Sequence, residues 1–130
     1  MTHAQERRFI YDKYGGRCAY CGREIQFKEM QVDHMEPKAG RNLDGKDIFG
    51  NVLRTTIESI ENKMPACRRC NHYKHTYDLG YYRYLVKTIH ERIHKFYIAK
   101  VAEDYGIIEY KPWDGLFYFE KTINANQAGE

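Results

Sequence analysis

Glu61-Asn62-Lys63-Met64-Pro65-Ala66-Cys67-Arg68-Arg69-Cys70-Asn71-His72-Tyr73-Lys74 is the stretch on which the fold of this 130-residue chain turns. The Cys67-x-x-Cys70 spacing lets one tight turn offer two sulfurs to a single ion. A second such pair, Cys18-x-x-Cys21, stands upstream in Cys18-Ala19-Tyr20-Cys21-Gly22. Together they use all 4 cysteines and supply the thiolates of a tetrahedral structural zinc site. Between Cys21 and Cys67 lie 45 residues, against roughly 15–20 in a simple zinc ribbon, so the ion is expected to staple the ends of a sizeable insert. A redox role fits poorly, because neither pair opens a βαβ unit.

The remaining composition bounds the fold. At 130 residues and 15.5 kDa the chain has room for one ordinary domain with its own core. With 42% hydrophobic, 15% aromatic and 30% charged residues it is neither disordered nor collagen-like. No apolar run approaches a membrane span, and the opening Met1–Ile10 lacks the apolar core of a signal peptide. A cytoplasmic, intracellular location without membrane contact is therefore expected, and in a reducing compartment four cysteines point to metal or free thiols before disulfides.

Local patterns predict an N-terminal helix over 4–14, with Phe9, Ile10 and Tyr14 inward and Gly15-Gly16 as its stop. Residues 25–32 have β character, 37–52 are loop-rich, and 52–61 fit helix or strand equally well. A helix is expected to begin near Cys70, after Pro65. A long helix is predicted over 81–104, with Leu85, Val86, Ile89, Ile93 and Phe96 on one arc. Residues 107–111 and 116–120 flank Pro112-Trp113-Asp114-Gly115 as a β-hairpin would, and the polar tail 123–130 is expected to fray. Most of Tyr73, Tyr77, Tyr81, Tyr82, Tyr84, Phe96 and Tyr97 are read as packing for the appended helix.

Within the stapled insert stands Asp33-His34-x-x-Pro37-Lys38-x-Gly40, followed by Glu61-Asn62 and by Asn71 directly after Cys70. With Cys18-x-Tyr20-Cys21-Gly22, these pieces resemble, in order and over residues 18–74, the HNH endonuclease family of the ββα-metal fold. Phosphodiester hydrolysis needs an activated water, charge stabilisation at the phosphate and help for the leaving oxygen, and these residue types can supply all three. His34 suits a general base, and Asp33 and Asn71 are hard oxygen ligands for Mg²⁺ or Mn²⁺. The resemblance implies that Asp33 and Asn71 hold one catalytic metal, that His34 activates water and that Asn62 positions His34. It also implies DNA as substrate, with 5′-phosphate and 3′-hydroxyl products. The family often carries His where Asn71 stands, and His72 and His75 lie close by. On a helix starting near residue 70, Asn71, Lys74 and His75 share a face while His72 points about 100° away, which favours Asn71 as ligand with Lys74 or His75 on a phosphate. Compared with the family, the Asp33–Asn62 segment is long, and residues 41–56 within it are expected to form a substrate-contacting loop.

The net charge of +3 conceals an uneven distribution. Residues 1–62 carry ten Lys/Arg and ten Asp/Glu; residues 63–100 carry nine against two; residues 101–130 carry two against six. The basic middle fits either a polyanion-binding face or a solvated helix. On the predicted long helix Arg83, Lys87, His90 and His94 fall within about 60° of one another and form a candidate phosphate-tracking stripe, joined by Arg68 and Arg69 near the zinc. His90-Glu91-Arg92-Ile93-His94 is formally the H-E-x-x-H of zinc peptidases. Arg92 and Lys95 place cations where a zinc ion would sit, and Glu109 or Glu120 would have to serve as third ligand, so the stripe reading is preferred.

These readings predict an α+β chain: an N-terminal helix (1–17), a zinc-stapled ββα-metal core (18–80), a long basic helix and terminal hairpin (81–122), and a tail (123–130). The expected function is metal-dependent DNA cleavage, with a non-catalytic zinc-dependent DNA-binding module as the competing class. A homodimer or a phage or mobile-element protein partner is left open, as are target sequence and nick versus double-strand break.

Overall fold

The computed structural model describes residues 1–37 and 59–122. Residues 41–56, residues 52–58 of the 52–61 stretch and the polar tail 123–130 lie outside the described residues. The chain divides into two compact units, Met1–Leu79 with Phe117–Glu130, and Gly80–Leu116.

In the first unit, helix α1 (His3–Asp12) opens with a capping box in which Thr2 and Gln5 satisfy each other's backbone N–H. It stops where Gly15 and Gly16 take positive φ, as Gly-Gly after a helical pattern predicts. Ile10 is the buried anchor of α1 at 2% exposure, whereas Phe9, expected to point inward, is 49% exposed. Two cations stitch α1 to the rest of the unit. Arg7 donates to the carbonyls of Phe27 and Met30, both at 2.8 Å, and Lys13 to those of Ile60 and Lys63, both at 2.7 Å.

Strands β1 (Gln31–His34) and β2 (Lys63–Ala66) form an antiparallel two-stranded sheet, with Asp33 opposite Met64 and His34 opposite Lys63. Because strand side chains alternate, Gln31 and Asp33 share one face and Val32 and His34 the other. Pro65 is tolerated within β2 because a two-stranded sheet leaves every strand one unpaired edge, and its carbonyl still accepts from the Ala19 N–H at 2.8 Å. Helix α2 (Arg68–Lys74) follows at once and packs on β1. Helix, sheet and helix thus agree with an α+β fold in this unit.

Two larger predicted elements do not form. The expected helix over 81–104 is three pieces, α3 (Leu79–Lys87), α4 (Ile89–His94) and α5 (Tyr97–Asp104). The first break lies at Thr88, whose hydroxyl donates back to the Tyr84 carbonyl at 2.9 Å and the Leu85 carbonyl at 3.3 Å. The Arg92 guanidinium also donates to the Leu85 carbonyl. A carbonyl supplied with side-chain donors no longer needs the next N–H of the ladder, and the helix bends. The expected hairpin over 107–120 is also absent. Residues 107–117 form no strand, and 118–122 are helical.

Phe117 and Phe119, at 3% and 8% exposure, instead pack on Tyr20 at ring separations of 5.4 and 6.3 Å. The Phe119 N–H donates to the Ala19 carbonyl at 2.8 Å. The alternation that suggested a strand is in fact two aromatic anchors closing on the first cysteine turn. The aromatics after position 73 also depart from expectation. Tyr82 is buried, whereas Tyr73, Tyr77, Tyr81, Tyr84, Phe96 and Tyr97 are 37% to 82% exposed. Among the described residues no helix is long and apolar enough to cross a membrane.

Phe119→Ala should cost about 3–5 kcal/mol of stability, the usual range for emptying a buried aromatic site. Thermal or urea unfolding of parent and variant reads it directly.

Candidate functional site

The first cysteine turn is a knuckle. The Cys18 N–H donates to the Arg23 carbonyl at 2.8 Å, and the Gly22 N–H to the Cys18 carbonyl at 3.0 Å. Gly22 sits at φ +79, where a side chain is strained, and a Cβ there would meet the Tyr118 ring at 3.0 Å. The second pair is built by a helix start. Cys67 is the N-cap of α2, and its sulfur accepts from the Cys70 N–H at 3.4 Å.

The sulfurs of Cys18, Cys21, Cys67 and Cys70 all lie within 4.8 Å of one another, the one group of this kind among the described residues. Cys21 and Cys67 are 3.9 Å apart, too far for a disulfide at about 2.05 Å. Tetrahedral Zn–S bonds of about 2.3 Å place sulfurs about 3.8 Å apart, so a set gathered within 4.8 Å has close to the dimensions such an ion requires. The protons tell the same story. Hydrogen bonds from Cys18 and Cys70, with the Arg23 backbone, hold the Cys21 thiol down to about 3. Hydrogen bonds with Cys18 and Cys21, together with burial, push Cys70 strongly up. Four crowded thiols cannot all ionise unless a cation replaces their protons.

Asp33 lies under the sheet, 4% exposed, with the Tyr20 hydroxyl donating to its Oδ2 at 2.5 Å and the Lys74 Nζ 3.1 Å from the same oxygen. Burial raises the Asp33 carboxyl above the usual carboxylate range, opposed by the Tyr20 hydrogen bond and by Lys74. Lys74 is fully buried and also donates to the His34 carbonyl at 3.0 Å. Its predicted reach to a phosphate is therefore corrected. Its ammonium neutralises Asp33 and holds the backbone of His34 from beneath.

Asn71, one turn before Lys74 on the same face of α2, donates its Nδ2 to the Gln31 Oε1 at 2.5 Å. Asn62 clamps the peptide after His34 with both ends of its amide, accepting from the Glu36 N–H at 2.9 Å and donating to the Glu36 carbonyl at 3.0 Å. The Met35 N–H adds a bond to the Asn62 carbonyl at 2.8 Å. On the opposite face of β1, His34 lines a cleft of about 240 Å³ with Val32, Lys63 and residues of α1, and Lys63 pairs with Glu6 at 2.5 Å. The sheet thus places Asp33 and Asn71 on the α2 side and His34 on the α1 side. Tyr20 and Gln31 were not singled out from the sequence. Their signals were the x-Tyr position inside the first cysteine pair and the two-residue step from Gln31 to Asp33.

The other predicted contacts are scattered. Arg68, Arg69 and His75 are exposed, and His75 closes α2 at φ 54. Because of the break at Thr88, Arg83 and Lys87 lie on α3 while His90 and His94 lie on α4, so the stripe is not one continuous helix face. Arg83 donates to the Gly115 carbonyl, the His90 ring lies 5.1 Å from that of Tyr110, and His94 Nδ1 pairs with Glu103 at 2.8 Å. Among the described residues, His90, Glu91 and His94 join no metal-holding group, which removes the peptidase geometry.

Comparison with known proteins bears on the same segment. Residues 18–76 match the family model for HNH endonuclease. This segment is similar to HNH endonuclease domains. The match contains both cysteine pairs and all four of Asp33, His34, Asn62 and Asn71. The chain is also 33% identical over 58 residues to the CRISPR-associated endonuclease Cas9 of Corynebacterium diphtheriae, an alignment covering 45% of this chain and 4% of that protein. A solved structure, the Type II-C Cas9 enzyme from Actinomyces naeslundii, aligns with 61% of this chain and 8% of its own, at 25% identity and a TM-score of 0.45. The chain therefore spans a small fraction of the length of the relatives it matches.

Two variants separate the roles within residues 18–76. Cys67→Ser should lose bound metal and unfold at lower temperature, read by metal content and thermal denaturation. Lys74→Met should keep the sulfur set but cost about 3–5 kcal/mol, because it leaves the buried Asp33 carboxylate without its cation; urea unfolding of the metal-loaded protein measures it.

Proposed function

We propose that this protein is a metal-dependent DNA endonuclease that hydrolyses phosphodiester bonds to leave 5′-phosphate and 3′-hydroxyl ends. Structural zinc occupies the four-cysteine set. One observation carries the reading: the segment matched to HNH endonucleases sets His34 against a cleft on the α1 side of β1, and Asp33 and Asn71, each tied down through one atom only, on the α2 side of the same strand. Both contacts to Asp33 fall on Oδ2, and Asn71 commits its Nδ2 to Gln31. Among the described residues this leaves Asp33 Oδ1 and Asn71 Oδ1 uncommitted, two hard oxygens of the kind Mg²⁺ or Mn²⁺ accepts.

His34 is the general base in this reading, taking the proton of the attacking water at its imidazole. Asn62 is a positioning residue. Its amide fixes the turn at Glu36, so the backbone that carries His34 is held from above by Asn62 and from below by Lys74. When bound, the divalent ion supplies charge stabilisation at the phosphate. DNA as the substrate rests on the family and on the nucleases it resembles.

A second reading has its own support. Asp33 is buried and paired with Lys74 as a structural carboxylate would be, which suits a zinc-dependent DNA-binding module without catalysis. Supercoiled plasmid incubated with Mg²⁺ or Mn²⁺ decides between them. Parent protein should convert it to nicked or linear DNA, and His34→Ala, with its metal content and stability intact, should lower the rate by about 10²–10⁴-fold. Full cleavage by His34→Ala would remove the base assignment. Binding without cleavage by the parent would favour the module.

A further inference from the structure

A groove of about 780 Å³ in the first unit runs along the cysteine knuckle, the turn before β1 and the exposed side of α2. Its walls carry Arg23, Lys28, Arg68 and Arg69, with the His72 ring beside them and Gln31 at the strand end. Among the described residues these four cations have no acceptor. Elsewhere in this unit the described Lys and Arg residues are engaged. Arg7 and Lys13 donate to carbonyls, and Arg8 pairs with Asp12, Arg17 with Glu24, Lys63 with Glu6, and Lys74 with Asp33; Lys121 also has a partner. The uncompensated cations of the unit therefore gather on one groove. Of its two acids, Glu24 already answers Arg17, which leaves Glu29 as the opposing charge.

We infer that this groove seats the phosphate backbone of the DNA beside the reacting phosphate, with Arg23, Lys28, Arg68 and Arg69 as phosphate contacts and His72 as an added ring donor. The inference rests on the endonuclease reading and names the substrate surface for that site. Four solvated cations around a concavity attract a polyanion far more than the same charges scattered, because their fields add where counterions are displaced. The position is also informative. Gln31 lines the groove and at the same time accepts from the Asn71 amide, so a backbone lying there borders the residue that fixes Asn71.

A different role is physically reasonable for the same arginines. Zinc with four thiolates carries a net charge of −2, and cations nearby could serve only to offset it. The two roles separate experimentally. Arg23→Gln/Lys28→Gln and Arg68→Gln/Arg69→Gln are compared with the parent for zinc content and for binding of a short duplex over a KCl series, with no Mg²⁺ or Mn²⁺ added. The expected result is full zinc content and a log K against log[salt] slope reduced by about 2 in each double variant, at ~0.9 per phosphate contact. Slopes parallel to the parent's would overturn the groove, and so would zinc lost in step with binding. If the slopes are parallel while the parent still cuts plasmid, the groove alone falls. A parent that neither binds nor cuts DNA overturns the groove together with the endonuclease reading.

Discussion

Convergence of four sulfurs from two distant segments is the constraint on which the rest of the structure depends. Cys18 and Cys21 come from a glycine-closed knuckle, and Cys67 and Cys70 from the first turn of a helix. Gathering them within 4.8 Å of one another brings residues 46 positions apart in sequence into contact. Loop closure over that distance is an entropic cost that a metal ion held by the four sulfurs would offset, since metal binding at such a set is itself part of the folding free energy. Consequences spread from there. The Ala19 N–H reaches β2 through Pro65, and its carbonyl receives the Phe119 N–H. Cys67, as N-cap, sets the rotational phase of α2 and so decides that Asn71 and Lys74 face the sheet.

Beneath the sheet that phase completes a buried polar network. Tyr20, from inside the knuckle, and Lys74, from the last turn of α2, meet at a single oxygen of Asp33. Removing a carboxylate and an ammonium from water is expensive, and their mutual attraction compensates only when geometry and further hydrogen bonds are good. Here the Tyr20 hydroxyl and the His34 carbonyl provide them. The arrangement is better understood as orientation than as stability. It fixes which oxygen of Asp33 is occupied and which remains, and it ties the metal centre to the residues proposed to act on the phosphate.

Local chemistry explains how much was legible in advance. Cysteine spacing is read directly because two sulfurs three residues apart on a turn are presented to the same point in space. The shared face of Asn71 and Lys74 follows from helical geometry alone. What that face would meet did not follow. Lys74 looked like a surface cation, and only the presence of Asp33 opposite it explains its complete burial. The long helix failed because Thr88 and Arg92 compete for the same backbone carbonyls, a rivalry invisible to hydrophobic periodicity. The hairpin failed because Phe117 and Phe119 answer to Tyr20, a residue nearly a hundred positions earlier.

By itself the sequence determined the four-cysteine set, the candidate catalytic side chains, the approximate ends of α1 and the approximate start of α2, because each depends on residues within a turn or two of one another. Tertiary structure alone decided that Asp33 and His34, adjacent in the chain, face opposite sides of a two-stranded sheet with different partners. It also decided that Asn62 acts on the backbone after His34 through Glu36, and that four uncompensated cations from three separate segments share one groove. The physical reason is range. Spacing rules describe what neighbours along the chain can do, whereas burial, ion pairing and field summation depend on which distant segments the sulfur cluster and the sheet bring together.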